Sequence, residues 1–149
     1  MELTFEENLL KVNTPKEICS SVRNRVDYRS DVGDEWATGN ETWEREYGDC
    51  ENMATTVSEI CFEKGIKTEM FVLYPENERE GHVVVVGLLD GKLWFSSNGW
   101  FDKASSMSDI KKKIAHEFRW KDKNIVIDFF RSKNEVGITN FEVALKSLF

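Results

Sequence analysis

The apolar period of this chain changes at Gly65, and no other feature constrains the fold as much. Before it, Cys50, Met53, Ala54, Val57, Ile60 and Cys61 form one stripe at helical spacing. A helix with so apolar a stripe must bury it, which predicts a central, core-facing helix. Gly65 suits the position just past its end, where chains commonly turn left-handed. After Gly65 the residues become strand formers. Residues 68–74, 82–88 and 92–97 are rich in β-branched and aromatic side chains. Asp90-Gly91, between the last two runs, predicts a hairpin.

Other elements extend this pattern. Thr14-Pro15-Lys16-Glu17 combines an N-cap, a first-turn proline and a returning glutamate. With Ile18, Val22 and Val26 it predicts a helix over 15–26. Residues 108–118 read as a helix whose Lys111-Lys112-Lys113 face is solvated, with His116 at the surface. Residues 124–131 read as a strand. Thr139-Asn140-Phe141-Glu142 repeats the capping spacing and predicts a C-terminal helix ending near Phe149. Helices, then strands, then helix, strand and helix indicate an α+β fold with an antiparallel sheet packed by helices. The chain has 149 residues, two prolines and no Pro/Gly/Ser-rich linker, so one domain over 1–149 is expected.

Composition narrows the function. Acidic residues outnumber basic ones, 27 to 20, which repels phosphate backbones and anionic membranes. No apolar run approaches the roughly 20 residues that span a bilayer. The start carries Glu2, Glu6 and Glu7 and no basic residue, unlike a secretory signal. A cytoplasmic protein is expected, with neither nucleic acid nor membrane as partner. Three cysteines, an odd count, argue against a disulfide framework. No metal-ligand spacing is present.

Cys50 falls in the first turn of the central helix. Free N–H groups and the positive end of the helix dipole favour a thiolate there and can receive an oxyanion. Gly48 permits a tight entry. The flanking Asp49 and Glu51 oppose ionisation unless a histidine supplies charge. Cys61 and Cys19 fit the simpler role of small buried residues, and Trp43 that of core packing.

The chain has two histidines, and His82 begins a strand. Two hairpin registers are open. A three-residue loop, Leu89-Asp90-Gly91, pairs Leu88 with Lys92, Val86 with Trp94 and His82 with Asn98, which makes Asn98 an orienter for the imidazole. It also puts Trp94 on the face of His82. A two-residue Asp90-Gly91 loop puts Ser97 and Gly99 on that face and turns Asn98 away. Asn98-Gly99 is also a common turn signal.

Gly48-Asp49-Cys50-Glu51-Asn52-Met53-Ala54 resembles the Gly-Asp-Cys-Glu-Asp-aromatic-Ala signature of transglutaminase-like cysteine peptidases. Trp36-Ala37-Thr38-Gly39-Asn40-Glu41-Thr42 is similar to that family's Trp-x-Thr-Pro-x-Glu-x segment, with Gly39 where proline is usual. Gly65, Gly81-His82-Val83-Val84-Val85 and Ser96-Ser97-Asn98 follow in the family's order. The resemblance covers residues 28–101. It implies a papain-like α+β fold in which a cysteine at a helix start faces a histidine on the sheet. It implies acyl chemistry at amides through a thioester, with Cys50 as nucleophile, His82 as general base and acid, and Asn98 as orienter. Ser97-Asn98 stands where Asp-Asn is usual, and Asn52 replaces the second Asp. Some members bind calcium through acidic residues flanking the cysteine, positions matched by Asp49 and Glu51. Their plainer roles are helix cap and first-turn charge, and no cofactor or metal is expected.

Trp36, Trp94 and Trp100 are candidate walls or oxyanion-side supports. The expected function is a cysteine hydrolase acting on a peptide, isopeptide or related amide bond, with a protein or peptide substrate. No accessory domain that would exclude water is visible, which ranks hydrolysis above acyl transfer. A binding protein on the same fold is the third reading, motivated by Ser97.

Overall fold

Three threonines and an aspartate open the first four helices. Thr4, Thr14, Thr38 and Asp49 each accept a hydrogen bond from the N–H three residues on, and Glu7, Glu17, Glu41 and Asn52 return one. These capping boxes satisfy otherwise orphaned donors. They start α1 (Phe5–Lys11), α2 (Pro15–Arg25), α3 (Gly39–Arg45) and α4 (Cys50–Glu63). The computed structural model describes residues 3–30, 37–78, 81–120 and 123–130. Within these, β1 (Asp27–Tyr28) follows α2, and β2 (Tyr47–Gly48) lies between α3 and α4. Then come β3 (Thr68–Pro75), β4 (His82–Leu89), β5 (Lys92–Ser97), β6 (Trp100–Ala104), α5 (Met107–Glu117) and β7 (Ile125–Phe129).

β1 and β2 form a short parallel pair. The five remaining strands form an antiparallel sheet in the order β6-β5-β4-β3-β7. Successive strand residues point to opposite faces, and both faces are covered. Val83, Val85 and Trp94 pack against the apolar stripes of α2 and α4. Val84, Val86, Leu93 and Phe95 pack against Met107, Ile110 and Ile114 of α5. The near-continuous valine run of β4 follows from this double burial.

The α+β reading holds, with the cysteine-bearing helix central and packed on the antiparallel sheet. Helices α2, α4 and α5 and strands β3, β4, β5 and β7 lie where the sequence predicts them. The short α1 and α3 and the edge strand β6 were not predicted, because segments of five to seven residues carry little periodic signal. The expected C-terminal helix lies outside the described residues.

The β4–β5 register resolves the hairpin alternatives. Leu89 pairs with Lys92, Gly87 with Trp94 and Val85 with Ser96. Asp90 and Gly91 both take positive φ, 53° and 76°, as a two-residue type I′ turn requires. The three-residue loop that paired Val86 with Trp94 is therefore corrected. Trp94 lies over Gly87, where a Cβ would come within 2.5 Å of the indole.

Candidate active site

Cys50 is the first residue of α4, directly after its N-cap Asp49. Gly48 precedes them because a Cβ there would lie 2.6 Å from Cβ of Asn52, whose side chain folds back onto the Asp49 N–H. The backbone N–H groups of Val83 and Glu51 act on the half-buried thiol and favour its anion. Burial is the larger effect and pushes the thiol above its ordinary range, with the charges of Asp49 and Glu51 adding to that push. Cys19 and Cys61 are fully buried, and burial pushes Cys19 up to about 11. Of the three, Cys50 is the accessible thiol.

His82 begins β4 and is buried. Its Nε2 lies 2.8 Å from Oγ of Ser97. Ser97 Oγ in turn donates to the Glu117 carboxylate, 3.0 Å from Oε2. The ring centroid is 4.5 Å from that of Phe118, beyond the C-terminal end of α5. Burial pulls the imidazole down to about 4, so the ring is neutral at pH 7. Burial raises the Glu117 carboxyl, while the Ser97 hydrogen bond partly offsets that rise.

Cys50 begins α4 and His82 begins β4, and the backbone N–H of Val83, the residue after His82, acts on the thiol. They approach from different faces. Cys50 joins the α4-side cluster, and the His82 ring lies with Ser97 and Phe118 on the α5 side. No hydrogen bond joins thiol to imidazole among the described residues.

No hydrogen bond joins Asn98 to His82 among the described residues. Asn98 sits in the β5–β6 turn at φ 50°, followed by Gly99 at φ 82°, and its buried Oδ1 has no hydrogen-bond partner among the described residues. The expectation that it orients the imidazole is corrected. The observed register moves the pleat by one residue and brings Ser97 to that place. Trp94 is likewise on the α4 side, buried and stacked on Phe101 at 5.7 Å, so it neither covers His82 nor reaches solvent. Trp100 is 62% exposed, with the Arg23 guanidinium 4.0 Å over its ring. Trp36 lies outside the described residues. Phe118 against the imidazole and Glu117 bonded to Ser97 were missed. Asp90-Gly91 is a strong type I′ signal and by itself favours Ser97. Nothing in the sequence links Glu117 to a strand twenty residues away.

Asp49 caps α4, and Glu51 lies in its first turn. Asp49 Oδ1 is occupied as the cap acceptor for Asn52 N–H. Calcium requires about six to eight oxygens, and among the described residues no group of three or more His, Cys, Asp or Glu side chains converges.

No family model and no curated protein sequence matches the chain. Solved structures do. LapG of Legionella pneumophila superposes with a TM-score of 0.57 at 15% identity, over 70% of this chain and 66% of that one. Its calcium-bound form gives 0.55 at 14% identity, over 96% and 86%. A candidate cysteine protease from Cytophaga hutchinsonii gives 0.53 at 13% identity, over 91% and 51%. The fold resembles that of LapG. At these identities the likeness is one of fold, and the chain spans about half of the Cytophaga protein and 66% of the first LapG structure. Among the described residues no helix is long and apolar enough to cross a membrane.

Proposed function

We propose that this chain is a cysteine hydrolase that cleaves a peptide, isopeptide or related amide bond through a thioester. Cys50 is the nucleophile, His82 the general base and acid, and Ser97 takes the orienting place expected of Asn98. The observation that carries this reading is the junction at the start of β4. A thiol at a helix N-terminus abuts the Val83 N–H, and the preceding residue is a buried histidine with Nε2 engaged by Ser97. That engagement leaves Nδ1 as the ring nitrogen for the thiol proton. The N–H groups around Cys50 are placed to receive the oxyanion of a tetrahedral intermediate.

The resting pair is a neutral thiol and a neutral imidazole, so proton transfer is uphill and must accompany attack. The thiol must also close on Nδ1, and catalytic hydrogen bonds are often long without substrate. The likeness to a candidate cysteine protease agrees with this reading. Acyl transfer would share the thioester, and trapping by a primary amine, read by mass spectrometry, separates it from hydrolysis.

The test is alkylation by iodoacetamide at pH 7, followed by peptide mapping that scores each cysteine. Cys50 is expected to react fastest, and His82→Ala to slow it with the fold intact by circular dichroism. A rate at Cys50 indifferent to His82→Ala would remove the base from the proposal. It would favour a binding protein on the same fold, a reading supported by the missing thiol–imidazole hydrogen bond.

A further inference from the structure

We propose that Glu117 is a positioning residue for His82, acting through the hydroxyl of Ser97. The inference rests on His82 being the base, and it assigns a carboxylate from α5 to a site otherwise built from α4, β4 and β5.

The single hydroxyl proton of Ser97 sets the direction of these hydrogen bonds. Ser97 Oγ lies 2.8 Å from His82 Nε2, and 3.2 and 3.0 Å from the two Glu117 oxygens. A hydroxyl carries one proton, and an ionised carboxylate only accepts. The Ser97 proton therefore goes to Glu117, and Ser97 is left to accept from His82. Nε2 must then carry the imidazole proton, and Nδ1 must be bare. A base that takes the Cys50 proton at Nδ1 needs that tautomer. Without the carboxylate, the Ser97 proton is free to turn toward Nε2, and the opposite tautomer becomes equally well bonded.

Charge acts in the same direction. When His82 takes up a proton, Nε2–H becomes a charge-assisted donor to Ser97, and Ser97 becomes a stronger donor to Glu117. No bond is made or broken at Glu117, and its proton count does not change. Phe118, the next residue after Glu117, lies against the imidazole at 4.5 Å, so one end of α5 supplies both a wall and the acceptor. From β3, Leu73 is the pairing partner of His82. Glu117 is exposed at the end of α5, and water there favours its ionised form against the upward push of burial.

The test is nitrogen NMR of the His82 ring at pH 7 in the whole chain, with His116 replaced by Gln to leave one imidazole. The expected wild-type spectrum is a single Nε2–H tautomer. Glu117→Ala is expected to lose it, giving a mixture or the Nδ1–H form. Glu117→Gln, which keeps an acceptor oxygen, is expected to retain the Nε2–H tautomer but slow Cys50 alkylation relative to wild type. An Nδ1–H wild-type ring, or a Glu117→Ala ring that stays Nε2–H, overturns the inference. If the tautomer depends on Glu117 while Cys50 alkylation ignores His82→Ala, the positioning contact stands and the hydrolase reading fails. Circular dichroism of each variant separates loss of fold from loss of the contact.

Discussion

On the α2/α4 face of the sheet, the packed side chains are almost all apolar and the reactive group is a thiol at the rim. On the α5 face, an apolar core of similar make-up ends in a polar chain, His82, Ser97 and Glu117. Both faces draw on the same four valines of β4, taken alternately. The difference lies in what each covering helix brings to one end of the strand. α4 arrives with its N-terminus, whose dipole and free N–H groups suit an anion. α5 arrives with its C-terminal end, bringing an acceptor that suits an imidazolium. One face thereby carries a thiol at a helix start, and the other a buried imidazole at a strand start.

The comparison breaks most decisively at the two reactive groups. Cys50→Ala and His82→Ala are each expected to abolish amide turnover, measured as product release, while circular dichroism stays unchanged. Retained turnover in either variant ends the division of labour proposed for the two faces.

Core truncation asks whether the faces are equally firm. Ile60→Ala on the α4 side and Ile114→Ala on the α5 side each empty a fully buried site. Each is expected to cost about 2–5 kcal/mol by urea denaturation. Only Ile114→Ala should disturb the tautomer of His82, since only it loosens α5. An equal disturbance from Ile60→Ala would merge the two faces into one unit.

pH separates them further. Burial pulls the His82 imidazole down to about 4 in the fold, from an ordinary 6.5 in the unfolded chain. Between those values the unfolded state holds more protons, so stability falls as pH drops from about 6.5 to about 4. The full loss from this group is about 3 kcal/mol. Glu117, raised in the fold, contributes with the opposite sign below its folded value. His82→Gln is expected to flatten the urea midpoint between pH 7 and pH 5. An unchanged slope would place the titrating group elsewhere.

Gly87→Ala tests the tight crossing over Trp94. Nothing at the indole can give 2.5 Å without moving a ring, so a loss of about 1–3 kcal/mol is expected on the α4 side. The smallest effect is assigned to Trp100→Ala. It removes an exposed ring under Arg23 and should cost about 0.5–1 kcal/mol of stability, read as a slight fall in Tm.

Much of this was legible in the residues. The apolar stripe of Cys50 to Cys61 required a core helix, and the capping residues marked its start. Asp90-Gly91 required a hairpin, and the β-branched run of 82–88 required a strand. Trp94 and Asn98 were misplaced for one reason, a loop length wrong by one residue. Because the pleat has a period of two, that slip exchanges every side chain between faces. Glu117 and Phe118 were invisible because they come from a helix whose local pattern speaks only of its own amphipathicity.

The sequence by itself determined the α+β class, the helix that presents Cys50 and the strand that begins with His82, because these depend on periodicity and caps within a few residues. Tertiary structure alone decided that Ser97 and not Asn98 meets the imidazole, that Glu117 stands behind it, and that thiol and ring approach from opposite faces. Those outcomes depend on turn geometry and on the docking of a distant helix. Their energies come from contacts between residues far apart in the chain, and no local spacing encodes them.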